Sequence, residues 1–137
     1  MIKREGQSRE NQAVRQPVVL VVDDEILVRS AIADYLRMAG YTVLEAASAD
    51  EAIAVLTSRE PVNLVFTDIE MPGTIDGLEL ARVVHRQYPG VKMMLTSGRR
   101  SGTEAAELVG GGFFLKKPYR LAEVANRIRF WLEQAKN

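Results

Sequence analysis

The chain has no cysteine and a single histidine, His85. The first absence removes disulfide scaffolds, thiol nucleophiles, zinc knuckles and iron–sulfur clusters together. The second removes any multi-histidine metal site. Neither sign of charge is in excess: 18 Lys+Arg stand against 18 Asp+Glu in 137 residues. A chain without a global positive field does not hold a polyanion, so direct nucleic-acid binding is not expected. No apolar run reaches the length that spans a bilayer, so no membrane partner is expected. The lack of cysteine is compatible with a reducing cytosol, and a cytoplasmic location is the expectation. What is present is an apolar fraction of 47%, enough for the core of one domain of ordinary size.

Residues 1–16 carry Lys3, Arg4, Arg9 and Arg15 with no apolar stretch behind them, so they do not form a secretory signal. They read as a disordered polar tail, which leaves 17–137 as the domain. From Pro17 the chain alternates. Val18 to Val22 is a valine-rich run that suits a strand buried on both faces. A helical stripe of Val28, Ile32, Tyr35, Leu36 and Ala39 follows, closed by Gly40. Thr42 to Ala46 is a second strand. Ser48 and Glu51 have capping-box spacing for a second helix, and Asp76 and Glu79 repeat it for a third that runs to about Gln87. Val62 to Thr67, Val91 to Thr96 and Phe113 to Lys116 are strands three to five. Thr103 to Val109 is a weak fourth helix. The last helix has Leu121, Val124, Ala125, Ile128, Trp131 and Leu132 on its buried stripe. His85 lies mid-helix, and a structural or solvated role is expected. Strands alternating with helices imply an α/β domain: a doubly wound, five-stranded parallel sheet whose ligand site lies at the carboxyl ends of the strands.

That topology gathers residues far apart in sequence. The first strand delivers Asp23 and Asp24, the third Asp68, the fourth Thr96 or Ser97, and the fifth Lys116 and Lys117. Crowded carboxylates stay ionised only beside a cation. Oxygen ligands without His or Cys select a hard ion, Mg²⁺ first, and Mg²⁺ commonly pairs one or two carboxylates with phosphate oxygens. A carboxylate acting as nucleophile toward phosphorus forms an acyl phosphate, stabilised by the metal and a lysine.

Val-Val-Asp-Asp-Glu at 21–25, Thr-Asp-Ile-Glu-Met-Pro-Gly at 67–73, Asp76-Gly77-Leu78 and Lys117-Pro118-Tyr119 resemble the receiver domain of two-component response regulators. The likeness covers about Pro17 to Glu133 and implies the (βα)5 flavodoxin-like fold. By position, it implies Asp68 as phosphoacceptor, supplied by a histidine kinase or a histidine phosphotransfer protein. Asp24 becomes the metal ligand with Asp23 beside it, and the Glu70 backbone carbonyl completes the Mg²⁺ shell. Lys117 contacts the phosphoryl oxygen, with Lys116 a bystander. Ser97, with Thr96 as the competing choice, is the hydroxyl that moves to the phosphoryl group, and Phe114 is the aromatic that swings with it. The chain departs from the family in two ways. The 71–77 loop is one residue longer than the commonest form. Glu70 and Arg99 occupy the positions two past Asp68 and two past Ser97, where an ion pair across the mouth is one arrangement.

Phosphorylation is expected to repack the 103–109 helix and the fifth strand, helped by Gly98, Gly102 and Gly110 to Gly112. Ile26 and Leu27, near the acidic mouth, are expected to help dock the phosphodonor. Phe130, opposite the core stripe of the last helix, marks a surface for a downstream protein target. A homodimer is expected to use the face of the 103–109 helix, fifth strand and last helix. A stand-alone regulator is the expectation, and a piece of a longer hybrid kinase or regulator the alternative. A Mg²⁺-dependent phosphohydrolase, with Glu70 as the acid two past its nucleophile, is the competing enzyme reading. A degenerate receiver used only for binding is the third.

Overall fold

β-Branched and other large apolar side chains fill β1 (Val18–Val22), all five residues of which are buried. The computed structural model describes residues 16–58, 60–99 and 113–134. Within them the order is β1, α1 (Ile26–Met38), β2 (Thr42–Ala46), α2 (Ala49–Thr57), β3 (Leu64–Asp68), α3 (Gly77–Gln87), β4 (Lys92–Ser97), β5 (Phe113–Lys116) and α4 (Leu121–Gln134). The sheet is parallel throughout, in the order β2-β1-β3-β4-β5. β1 and β3 are fully buried, whereas the edge strand β2 is only partly buried and exposes Thr42. The expected tail (all but its last residue), the 103–109 helix and the glycines at 102 and 110–112 lie outside the described residues.

Side chains alternate across the sheet, so each strand feeds two cores. Leu20, Val22, Val65 and Leu95 face α2 and α3, together with Ala52, Leu56, Leu80 and Val84. Val19, Val21, Phe66 and Met94 face α1 and α4, where Ile32, Ala33, Leu36, Val124 and Ile128 meet them. Each fully buried Leu, Ile or Phe contributes about 1.5–3 kcal/mol.

The helix starts follow the capping chemistry in part. Ser48 Oγ accepts the Glu51 N–H at 3.1 Å, while Glu51 Oε1 reaches back to the Ala47 N–H at 2.7 Å. Asp76 Oδ1 accepts the Glu79 N–H at 2.9 Å, but the Glu79 carboxylate turns to Arg82 at 3.0 Å instead of closing a box. α1 ends at Met38, with Gly40 at φ 107° just beyond the cap. Its buried stripe is Ile32, Ala33 and Leu36. Tyr35 and Ala39, expected there, are exposed, because the face turned to the sheet is rotated toward Ala33. Strands three and four each begin later than expected, at Leu64 and Lys92, and β4 runs on through Ser97. His85 is exposed near the end of α3. Trp131 is half-buried on α4, donating its indole N–H to the Met93 carbonyl at 2.9 Å, with Lys92 Nζ 4.3 Å from the ring centroid.

Gly77 explains how α3 reaches the sheet. A Cβ there would overlap the Asp68 carbonyl oxygen and come within 2.7 Å of Ile69 Cα. The Gly77 N–H donates to the Ile69 carbonyl at 3.0 Å. The extra residue in the 71–77 loop is accommodated with Gly73 at φ 116° and Ile75 packed on the α2–α3 core.

Candidate acidic site at the strand ends

The strand order reverses between β1 and β3, which open the sheet to a crevice at their carboxyl ends. Asp23 follows β1 directly, and Asp68 is the last residue of β3. One carboxylate oxygen from each of Asp23, Asp24 and Asp68 lies within 4.8 Å of the others. Asp23 and Asp68 are buried, at 3% and 6% exposure, and Asp24 is exposed.

The two buried carboxylates are each held by hydrogen bonds. Asp23 Oδ1 accepts the Glu25 N–H at 2.9 Å, which begins α1 without a side-chain cap from Glu25. Arg29, one turn into α1, donates to the Asp23 carbonyl at 2.8 Å and pairs with Glu45 of β2 at 3.0 Å, so the acidic turn is tied to the edge strand. Asp68 Oδ1 accepts the Glu70 N–H at 3.1 Å, and Asp68 Oδ2 accepts Lys117 Nζ at 2.9 Å. Lys117 follows β5, the strand paired with β4.

Burial raises the Asp23 carboxyl above its ordinary value, and the charges of Asp68 and Asp24 push the same way against the Glu25 N–H and Lys117. Burial pulls Lys117 down, but its hydrogen bond to Asp68 and the charges of Asp68 and Asp23 carry it above its ordinary value. Burial also lifts the Tyr119 phenol to about 12, with Lys117 opposing. Tyr119 meets Phe66 edge-on, 6.1 Å between ring centroids. Three carboxylates share the mouth with Lys117, and the excess negative charge suits a cation. The oxygen-only donor set favours a hard divalent ion.

Of the residues expected at the strand ends, Asp23, Asp24, Asp68 and Lys117 meet there. Ser97 is fully buried at the end of β4. Its hydroxyl donates into the Glu70 carboxylate, 2.7 Å from Oε2 and 2.9 Å from Oε1, and accepts the Arg99 N–H at 3.0 Å. Among the described residues the Glu70 carboxylate meets the Ser97 hydroxyl, and Arg99 meets the same hydroxyl through its backbone N–H. Thr96 pairs with Asp68 in register, and its buried hydroxyl has no partner among the described residues. Lys116 Nζ donates to the Gly98 carbonyl at 3.1 Å. Phe114 is half-buried against the α2–α3 core. Ile26, Leu27 and Phe130 are exposed by 62%, 81% and 53%. The Glu70 side-chain contact, the Arg29 tie and the Gly77 approach were not anticipated. Of these, the Arg29 tie had a sequence signal: an arginine one turn past the acidic pair.

Comparison with known proteins points the same way. The family described as "Response regulator receiver domain" matches residues 19–129. The chain is 36% identical over 115 residues to the nitrogen assimilation regulatory protein NtrX of Azorhizobium caulinodans, covering 80% of this chain and 25% of that protein. It is equally 36% identical over 115 residues to the phosphate regulon transcriptional regulatory protein PhoB of Pseudomonas aeruginosa, covering 81% and 49%. The chain thus spans between a quarter and a half of these relatives' lengths. Among solved structures, a CheY-like response regulator receiver domain protein of Methanospirillum hungatei superposes with a TM-score of 0.81 at 27% identity, covering 88% of this chain and 97% of that one. The receiver domain of NtrX from Brucella abortus gives 0.76 at 32% identity, covering 84% and 98%. Fold, strand-end carboxylates and sequence agree, and the chain belongs to the response regulator receiver domain family of two-component systems.

Proposed function

We propose that Asp68 accepts a phosphoryl group from the phosphohistidine of a histidine kinase or histidine phosphotransfer protein. The observation that carries this reading is the placement of Asp68: buried at the β1–β3 crevice, with one oxygen on Lys117 and the other on the Glu70 N–H. A carboxylate oxygen attacks phosphorus, an O–P bond forms as the P–N bond breaks, and the bonding pair returns to the imidazole nitrogen. Lys117 neutralises charge on the phosphoryl oxygens, and the Glu70 N–H orients the acceptor. The donor set fits Mg²⁺, which Asp23, Asp24, Asp68 and the Glu70 backbone carbonyl would hold. When bound it neutralises phosphoryl charge and aligns the donor.

The readout runs through Ser97 and Phe114. Leu95 pairs with Phe114 and Ser97 with Lys116 in register, so Ser97 and Phe114 share a face of the sheet. The exposed Ile26 and Leu27, two and three residues past Asp24, suit docking of the donor. Phe130 and the β5–α4 face serve a downstream target or a second copy. The module works in the cytoplasm as a signalling protein, and its own phosphorylation and dephosphorylation are the only chemistry assigned to it. The phosphohydrolase reading is not favoured, given the family match over 19–129 and the engagement of Glu70 with Ser97.

Incubation with acetyl phosphate and Mg²⁺, followed by intact mass measurement, tests the reading. One phosphoryl adduct is expected, absent without Mg²⁺ and absent in Asp68→Asn. An adduct of equal yield in Asp68→Asn would place the acceptor elsewhere.

A further inference from the structure

Glu70 touches both halves of the site at once. Its backbone N–H donates to Asp68 Oδ1, and its carboxylate receives the Ser97 hydroxyl. Ser97 is fully buried, and its oxygen also accepts the Arg99 N–H. A hydroxyl has one proton to donate. While that proton lies between Ser97 and Glu70, it is not available to a phosphoryl oxygen on Asp68.

We infer that the Glu70 side chain is a positioning residue that competes with the phosphoryl group for the Ser97 hydroxyl and so holds the unphosphorylated receiver in its resting state. This inference rests on the assignments of Asp68 and Ser97 above. The contact is a charge-assisted hydrogen bond, stronger than one between neutral groups. It must break before Ser97 turns to Asp68. Phosphorylation itself weakens it, because close to two negative charges arrive two residues from the Glu70 carboxylate. Ser97 then exchanges one anionic acceptor for another, and the exchange is transmitted along the face it shares with Leu95 and Phe114. A ligand that needs the released hydroxyl binds with an affinity reduced by the fraction of molecules in which that hydroxyl is free. Removing the carboxylate raises that fraction.

Beryllofluoride, a phosphoryl mimic, titrated in the presence of Mg²⁺, tests this. Glu70→Ala is expected to bind it about threefold to tenfold more tightly than the parent. Glu70→Gln, which loses the charge but keeps an acceptor oxygen, is expected to gain less. In a Ser97→Ala background Glu70→Ala is expected to bring no gain. Equal or weaker binding by Glu70→Ala, or the same gain with Ser97 replaced, overturns the inference and leaves only charge relief at the mouth. A second readout is independent of affinity. The Arg99 amide resonance of ligand-free Glu70→Ala is expected to move toward its position in the beryllofluoride-bound parent, and an unmoved resonance contradicts the competition. A parent that binds no beryllofluoride, or an Asp68→Asn variant that binds it equally well, sinks the Asp68 assignment and the competition with it.

Discussion

Lys117 Nζ stands 2.9 Å from Asp68 Oδ2, an ion pair that joins the end of β3 to the residue after β5 across the intervening β4. The pair places a cation against the carboxylate proposed to accept phosphate. Lys117→Ala is expected to slow labelling by acetyl phosphate on the order of 100-fold, the scale of losing one preorganised charge-stabilising group. Mg²⁺ binding, followed by calorimetry, should persist in the variant. Labelling at the parental rate would remove Lys117 from the transfer step.

Gly77 carries no left-handed backbone, yet it admits no side chain. Gly77→Ala drives a methyl into the Asp68 carbonyl and Ile69. Either α3 or the end of β3 must move, at a cost of about 1–3 kcal/mol. Thermal melting should register this loss, and acetyl phosphate labelling should fall with it because Asp68 shifts. An unchanged melt would show that the approach is looser than described.

Thr96 and Ser97 are adjacent hydroxyls with opposite circumstances. Ser97 is engaged by Glu70 and Arg99, and Thr96 Oγ1 is buried without a partner among the described residues. An unsatisfied buried hydroxyl costs about 1–3 kcal/mol. Thr96→Val keeps the shape and is expected to leave stability unchanged or raise it by ~1 kcal/mol, with beryllofluoride binding intact. Ser97→Ala is expected to weaken that binding. The reverse pattern would transfer the switch role to Thr96.

The fold and the site differ in how much of each could be read beforehand. Strand ends were legible because each apolar run stops at polar residues: Asp23 after Val22, Thr67 and Asp68 after Phe66, Lys116 and Lys117 after Leu115. Parallel topology then gathers them, and no contact needs to be known. Side-chain choices were less legible. Glu70 has an arginine two past Ser97 as an apparent partner, and nothing in the sequence signals that its carboxylate also receives the Ser97 hydroxyl. Tyr35 fits the helical period of α1 as well as Ala33 does, and only the packing angle on the sheet decides between them. Gly77 resembles an ordinary loop glycine until α3 and the β3 carbonyl are seen together.

Tyr119 provides a pH signature. Its phenol is raised from 10.0 to about 12, chiefly by burial, so the unfolded chain loses that proton first as pH rises. A group with a raised folded pKa stabilises the fold fully below its unfolded value and loses that contribution through its folded value. Stability should therefore decline between pH 10 and about 12. Lys117, also raised above 10.5, acts in the same direction. Tyr119→Phe is expected to flatten part of this decline in urea titrations, and a decline of equal depth in the variant would assign it to other groups.

The most direct test of the account is to locate the phosphoryl group. After labelling with acetyl phosphate and Mg²⁺, borohydride reduction converts an aspartyl phosphate to homoserine, and peptide sequencing by mass spectrometry finds where. Conversion at Asp68 alone is the predicted result; conversion at Asp23, Asp24 or any other carboxylate, with Asp68 intact, would contradict it.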